Sequence, residues 1–490
     1  AMKATLVVGL EIHVQLATRS KLFCGCKVGY ADEPNSNVCP VCLGMPGVLP
    51  VMNRQAYEHS VRAALALNCE IARFTKWDRK GYYYPDLPKN YQVSQYDLPL
   101  SYDGYIDIRL EAGQEKRVRI IRAHLEEDAG KNMHEGLEHS RVDLNRTGTP
   151  LLEIVTEPDL RTAGECRILA QELQRLVQFL GVSEGNMEQG HMRFEPNINL
   201  RIDGDDGREY YTPICEVKNL NSFRALERAV AYEQWRQLEE WKRDHSYTLE
   251  RLGKQNRGWN DERGETVFQR EKEEAHEYRY FPEPDLVPVE IDEEWLGQIK
   301  ASVGELPMAM SERFVACYGL SEYDASVLTG DRATAVFFDE ATVAAPGLGK
   351  RVSNLVTQHG LRLAKERGCG VDELGVTTSQ VAQLATMLDE GGINASAAAV
   401  LFEKMLTDER GPAALAAAEG LLQESDAGAL ASVVASVLAD QAEAVAQVKA
   451  GGKKAGKARG FLLGQVMQQT KGQANPQVVG ALLDEKLRQE

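Results

Sequence analysis

The chain is predicted to be α+β: an N-terminal domain around a mixed or antiparallel sheet, then an all-helical middle domain and a small helical tail domain. Three observations predict this. In roughly the first 295 residues several short runs alternate strictly between apolar and polar side chains, the period-two signature of half-buried strands. Beyond that point strand patterns stop and helical periodicity takes over. The third is length, since 490 residues exceed what one hydrophobic core organises. The expected boundaries are 1–295, 296–411 and 412–490.

Taken in chain order, Leu10 to Leu16 puts Glu11, His13 and Gln15 on one face and its aliphatic residues on the other. Ile121 to Glu126 repeats the pattern with Arg122, His124 and Glu126, and Leu152-Glu153-Ile154 is the shortest case. Asn197 to Ile202 groups Asn197, Asn199 and Arg201, while Glu216 and Lys218 share a face in Ile214 to Asn219. A helix is expected near 161–180, where Thr162 can cap and Leu169, Leu173, Leu176, Val177 and Leu180 form an apolar stripe. Another is expected near 223–244. Amphipathic, Ala-rich segments then predict helices near 295–320, 322–345, 351–367 and 377–390. A turn at Glu409 to Pro412 starts a new helix with proline near its first position. Helices near 412–424, 427–449, 458–470 and 475–488 follow, punctuated by Gly451, Gly452 and Gly472.

Composition narrows the class. Hydrophobic content of 43% and charged content of 26% are those of a soluble globular protein. No apolar run nears the roughly 20 residues that span a bilayer, and no basic-then-apolar leader opens the chain, so no membrane association and a cytoplasmic location are expected. A net charge of −17 argues against a nonspecific nucleic-acid binder but leaves room for a specific one that uses local basic patches. One such patch is Lys453, Lys454, Lys457, Arg459 and Lys471.

Cys24-Gly25-Cys26 and Cys39-Pro40-Val41-Cys42 form two tight pairs across a twelve-residue loop. That spacing supplies the four thiolates of a structural zinc site, Cys24, Cys26, Cys39 and Cys42. A redox pair is the competing reading, and it leaves the second pair unexplained. The other five cysteines stand alone in apolar or helical contexts, as free thiols do.

The polar strand faces collect glutamate, histidine and asparagine, donors suited to a divalent cation and to phosphate. The plainer alternative is a solvated sheet face with surface ion pairs. Neither a Walker-type loop nor a dinucleotide-binding glycine motif is present, so any nucleotide must rest on carboxylate-held metal and on cations. The cations nearest the runs are Lys80, Lys89, Lys131, Arg193, Arg201 and Lys218; each taken singly also reads as a surface charge. Gly181 to Gly190 reads equally as a loop over substrate or a plain connection. Lys80 to Tyr91 sets Tyr82 and Tyr83 beside Lys89 and Asn90, either for stacking on bases or sugars or for packing the domain.

Several long motifs then point one way. Val8 to Leu16 (VGLEIHVQL), Lys80 to Gln92 (KGYYYPDLPKNYQ), His124 to Lys131 (HLEEDAGK), Asp143 to Asp159 (DLNRTGTPLLEIVTEPD), Glu216 to Ser222 (EVKNLNS) and Tyr278 to Leu286 (YRYFPEPDL) occur in order. Together they resemble the B-subunit of the tRNA-dependent aspartyl/glutamyl amidotransferases, the GatB/GatE family, and Gly464 to Pro476 resembles that family's tail domain. The resemblance implies a carbon–nitrogen ligase that uses ATP to phosphorylate the side-chain carboxylate of Glu-tRNA(Gln) or Asp-tRNA(Asn). Ammonia released from glutamine by a partner amidase, the A-subunit, then displaces phosphate, and a small C-subunit clasps the pair. It implies Glu11, His13, Glu126 and Glu153 as holders of Mg²⁺ and phosphate, with Glu216 and Lys218 as supports. His13 is the less natural Mg²⁺ ligand, and a bridging or general-acid role is its alternative. Tyr82, Tyr83, Lys89 and Asn90 would meet the aminoacylated end, Arg193, Asn197, Asn199 and Arg201 would line the substrate face, and Lys453, Lys454 and Lys457 would grip the tRNA body.

The chain departs from the family pattern in places. Met192-Arg193-Phe194-Glu195 stands where the family reads Met-Arg-Cys-Asp, and Gln189-Gly190-His191 differs from the usual small residue before that Met. Thr266 to Arg270 follows its motif loosely, and Val352 to Leu355 replaces a run that carries Trp. These differences bear on the channel lining and metal geometry. They leave two alternatives open: a paralogue acting on another aminoacyl-tRNA, and a tRNA-binding factor without catalysis.

Overall fold

The alternating runs lie side by side in one sheet. In the computed structural model, which describes residues 3–29, 32–111, 113–133, 139–271, 278–423, 426–451, 455–470 and 472–489, this sheet has ten strands. Across it run Glu265–Glu271, Lys254–Asn260, Ile214–Lys218, Met192–Asp203, Lys3–Gln15, Pro150–Thr156, Glu115–Glu127, Ser101–Arg109 and Glu70–Ile71, with Glu209–Tyr211 paired beside Met192–Asp203. Ile214–Lys218 and Lys254–Asn260 pair in parallel, and the other pairings are antiparallel. The sheet is therefore mixed, as the sequence predicts.

One face is apolar because every second residue of the central strand is aliphatic. Leu6, Val8, Leu10, Ile12, Val14 and Leu16 are buried in a core shared with the helices Arg54–Ala66, Ala163–Phe179 and Phe223–Arg243. Each such side chain contributes roughly 1.5–3 kcal/mol by leaving water. The caps are those their sequences favour: Thr162 accepts from the Glu165 amide at 3.1 Å and Ser222 from the Ala225 amide at 3.0 Å. The opposite, polar face is partly covered by a three-stranded sheet of Asp78–Gly81, Tyr91–Ser94 and Phe281–Pro282.

The chain divides into two compact units at 306/307. The first helix expected in the middle domain, Glu293–Val303, joins the first unit, since Leu296 and Ile299 enter the sheet domain's core. Several expected helices are two. Gly304, at φ +67°, ends Glu293–Val303 before Pro307–Tyr318, and Asp331 caps a second helix, Arg332–Ala344, after Glu322–Leu328. The 427–449 segment bends by 92° between Ala427–Asp440 and Ala442–Lys449. Leu430, Val434, Leu462, Val466, Val479 and Leu483 form a separate apolar cluster within the second unit. Among the described residues, no single helix is long and apolar enough to cross a membrane.

Candidate active site

Strand register brings the polar residues into rows. Arg193, His13, Glu153 and His124 stand opposite one another across four adjacent strands. Glu195 and Glu11 form the next row, and Gln15, Leu151 and Glu126 the one on the other side. His13 Nε2 lies 3.5 Å from Glu153 Oε2 and 3.7 Å from Glu11 Oε1. His124 Nε2 lies 3.4 Å from Glu126 Oε1 and 3.7 Å from Glu153 Oε2. The small sheet closes this cluster from above. Ser94 Oγ donates to Glu126 Oε1 at 2.6 Å and Gln92 Nε2 to Glu126 Oε2 at 3.1 Å. Lys80, cross-strand from Gln92, shares that face.

Burial sharpens the electrostatics. Burial opposes a charge on His13, but Glu153, Glu195 and Glu11 outweigh it and raise its pKa from 6.5 to about 9. Burial also opposes the Lys80 charge; Glu126, Tyr280 and Glu153 outweigh it and hold the ammonium well above the usual lysine value. Glu126 is held well below the carboxylate range: burial pushes up, and Lys80, His124 and His13 pull down harder. For Glu195, burial again pushes up, but Lys218, His13 and Arg193 bring it down to about 2. Lys218 bridges Glu195 and Glu216, 2.8 Å from each.

Two groups of donors converge closely enough to share a cation. His13, Glu126 and Glu153 each offer a ligand atom within 4.8 Å of the others, and so do Glu11, His13 and Glu195. These oxygen-rich sets suit Mg²⁺, with the imidazole as the less usual member. His13 Nδ1 is buried without a hydrogen-bond partner, so Nε2, turned between the carboxylates, is the ring's working atom. Glu195 was visible in sequence only as a departure, yet the structure puts it in the cluster. Phe194, its neighbour, points the other way into the core and packs against Phe223.

The remaining candidates are distributed more widely. Arg193 joins the row and pairs with Asp128 at 2.9 Å. It also lines a cleft of about 460 Å³ with Gln15, Lys131, Arg146 and the 187–190 part of the glycine-punctuated loop. Asn197 stands opposite Glu216, and Asn199 donates to the Thr212 carbonyl at 3.4 Å. Arg201 is not part of the cluster. It sits eight residues further along the strand than Arg193, roughly 26 Å at the usual strand rise, and its neighbours are Asp203 and Glu209. Lys89 is not there either, because its hairpin turns it to the other side of the small sheet, where it forms a buried ion pair with Glu127. Tyr83 and Asn90 are exposed at that hairpin's turn, and Tyr82 packs edge-on against Tyr84 and Tyr278. Lys453 and Lys454, and Lys471 of the basic patch, lie outside the described residues. Lys457 is exposed, and Arg459 pairs with Asp484 at 2.6 Å.

The sulfurs of Cys24, Cys26, Cys39 and Cys42 lie within 4.8 Å of one another. A tetrahedron with zinc–sulfur bonds of about 2.3 Å needs sulfurs roughly 3.8 Å apart, so the knuckle can close on such an ion with small adjustments. Lys21 Nζ, 3.6 Å from Cys42 Sγ, and the Cys39 amide, 3.2 Å from it, favour the thiolate.

Sequence comparison agrees with this geometry. Residues 6–297 match the GatB/GatE catalytic domain and residues 336–487 the GatB domain. The chain is 46% identical over 490 residues to the B-subunit of the aspartyl/glutamyl-tRNA(Asn/Gln) amidotransferase of Carboxydothermus hydrogenoformans, covering 98% of each chain. It is 43% identical over 488 residues to that of Thermodesulfovibrio yellowstonii, with full coverage of both. For Thermomicrobium roseum the identity is 47% over 492 residues, covering 100% of this chain and 99% of the relative. The sheet with its polar face and the helical region after it are thus those of the aspartyl/glutamyl-tRNA amidotransferase B-subunit family, to which this chain belongs.

Proposed function

We propose that the chain is the kinase and transamidase component of a heterotrimeric, cytoplasmic amidotransferase that acts on Glu-tRNA(Gln), Asp-tRNA(Asn) or both. One observation carries the reading: His13, Glu126 and Glu153 converge within 4.8 Å on the large sheet, under the small sheet's face that bears Lys80. A carboxylate cannot expel oxide. Transfer of the γ-phosphoryl group of ATP to a carboxylate oxygen breaks the bond to the β-phosphate, releases ADP and turns that oxygen into part of a phosphate leaving group. Ammonia then attacks the carbonyl carbon, the C–N bond forms, the C–O bond breaks, and phosphate departs with the proton that the nitrogen gives up. Such transfer depends mainly on position and charge neutralisation. Glu11, His13, Glu126 and Glu153 would hold Mg²⁺, which supplies neutralisation of phosphate charge. Lys80 gives a second positive charge beside them. Lys218 keeps Glu195 ionised and ties it to Glu216 through contacts of 2.8 Å to each, and Arg193, braced by Asp128, faces the cleft where substrate would enter.

The ammonia comes in this reading from a partner amidase, the A-subunit, with a small C-subunit joining the pair. Zinc in the four-cysteine knuckle has a structural role, because protein thiolates fill all four positions. The helical tail with Lys453, Lys454 and Lys457 grips the tRNA body through phosphates. The test is reconstitution with the amidase and the small partner, and labelled Glu-tRNA(Gln) or Asp-tRNA(Asn), supplied with ATP, Mg²⁺ and glutamine or ammonium. Conversion to the amide that stops without ATP is expected. No conversion from either nitrogen donor, with tRNA binding intact, would overturn the reading in favour of a paralogue with another substrate.

A further inference from the structure

The polar face of the central strand does not end at His13. Val14 stands opposite Met192, and the Gln15 amide donates to the His191 carbonyl at 2.8 Å, which continues the register by one row. His191 therefore shares a face with Arg193, two residues away. By strand rise and strand spacing its backbone lies roughly 8 Å from that of His13, diagonally across the pairing. The chain departs from the family pattern at this histidine, and the chemistry above gives it no role.

The ring is held from behind. Gly190, at φ +77°, turns the chain into the strand, and the His191 amide donates to the Asn186 carbonyl at 2.8 Å. Nδ1 is buried without a hydrogen bond, 3.5 Å from Glu184 Oε2. His191 also lines both the cleft of about 460 Å³ that Arg193 faces and an adjoining one of about 280 Å³, together with Gln15 and Gln189. Nε2 is thus the nitrogen presented where the two clefts meet. So placed, beside a charged site, it suits a neutral polar group of the substrate.

Reach decides which group. In an extended chain each bond advances roughly 1.2 Å. The α-amine of an aspartyl or glutamyl ester is three or four bonds from the side-chain carboxyl carbon, and so extends only about 4–5 Å from a carboxyl seated at His13 and Glu153. The ester oxygen is four or five bonds out, and the ribose hydroxyl beside it about 3 Å further, at roughly 8–9 Å. That reach matches the offset of His191. We infer that His191 is a substrate-contacting residue, whose Nε2 forms a hydrogen bond with the ribose hydroxyl next to the ester of the aminoacyl-tRNA. The inference rests on the amidation reading above and extends it from the reacting carboxylate to the other end of the aminoacyl group.

Removing either partner of that bond tests it. Glu-tRNA(Gln) ending in adenosine or in 2′-deoxyadenosine, acylated chemically on the 3′-oxygen, is supplied to heterotrimers reconstituted with wild type, His191→Phe and His191→Gln. The deoxy end should lower the wild-type kcat/KM for tRNA roughly 2- to 12-fold, the worth of one hydrogen bond. His191→Phe keeps a ring but no polar atom, so it should lose a similar factor with the adenosine end and cease to distinguish the two ends. His191→Gln carries an amide near the position of Nε2 and should recover most of the rate. The KM for ATP should stay unchanged throughout, which also reports an intact fold. A wild-type enzyme indifferent to the 2′-hydroxyl would overturn the inference, and so would a Phe variant that discriminates as strongly as wild type. If the wild-type complex amidates neither substrate, the amidation reading fails, and filter binding of the two aminoacylated tRNAs to wild type and His191→Phe still decides the contact.

Discussion

Raising the pH from 6.5 to 9 without divalent metal should remove the proton on the His13 ring that Glu153, Glu195 and Glu11 stabilise. The folded pKa of His13, about 9, lies above its ordinary value of 6.5. Its contribution to stability is therefore fully present below pH 6.5 and is lost as pH rises through 9. Over that span, at about 1.4 kcal/mol per pH unit, the loss comes to about 3 kcal/mol. The side chain is only 13% exposed, so solvent screening discounts little of this. The assay is urea unfolding of metal-free wild type and His13→Gln at several pH values, because the difference between the two curves isolates the one ring from other titrating groups. Selective ¹⁵N labelling of the nine histidines gives the titration directly. Mg²⁺ should flatten the wild-type curve, since a cation among these carboxylates takes over the role of the proton. If wild type and His13→Gln lose stability equally between pH 6.5 and 9, or if His13 titrates at or below 6.5, the account of this cluster is wrong.

Glu126→Ala should abolish ATP-dependent amidation while leaving tRNA binding near normal by filter binding, because Glu126 is buried with its oxygens toward His124, Ser94 and Gln92; an equal loss of tRNA affinity would count against it. The double change of Cys39 and Cys42 to Ser should release about one zinc by elemental analysis and lower the melting temperature without removing a catalytic group, and a wild-type chain free of zinc would refute the knuckle. Arg201→Ala should leave the amidation rate within about twofold of wild type, since a surface substitution far from the site changes little; a loss of tenfold or more would show that the far end of the strand takes part.

Much of the site could be read from the chain because strand alternation says which residues share a face. Glu11, His13, Glu126 and Glu153 are all recovered that way. Alternation does not say how far along the sheet each strand is shifted, so Arg201 could not be told from Arg193, although one lies roughly 26 Å from the other. Nor does it reveal which hairpin folds back over the face. Lys80 and Lys89 look alike in sequence, but the Asp78–Gly81 and Tyr91–Ser94 pairing puts the first over the carboxylates and turns the second away. The signal for Lys80 was its even spacing from Asp78 across from Ser94 and Gln92, and it needed the pairing to be seen. Helices were legible by their stripes and caps. Their breaks were not, because Gly304 and Asp331 act through backbone conformation and capping inside otherwise continuous helical patterns.

The small three-stranded sheet is a single wall between two compartments. On one side Gln92 and Ser94 hold Glu126 in the polar cluster; on the other, the Val93 amide and Lys89 hold Glu127 above a cavity of about 250 Å³ that reaches Cys24 and Cys42. Gln92 also donates to the Glu127 carbonyl at 2.8 Å, so one amide group fastens both sides. Adjacent residues of one strand thus answer to different tenants. A disturbance at the cysteine knuckle needs to cross only one peptide unit, from Glu127 to Glu126, to reach the polar cluster, which makes the knuckle a foundation of that face and not a remote ornament.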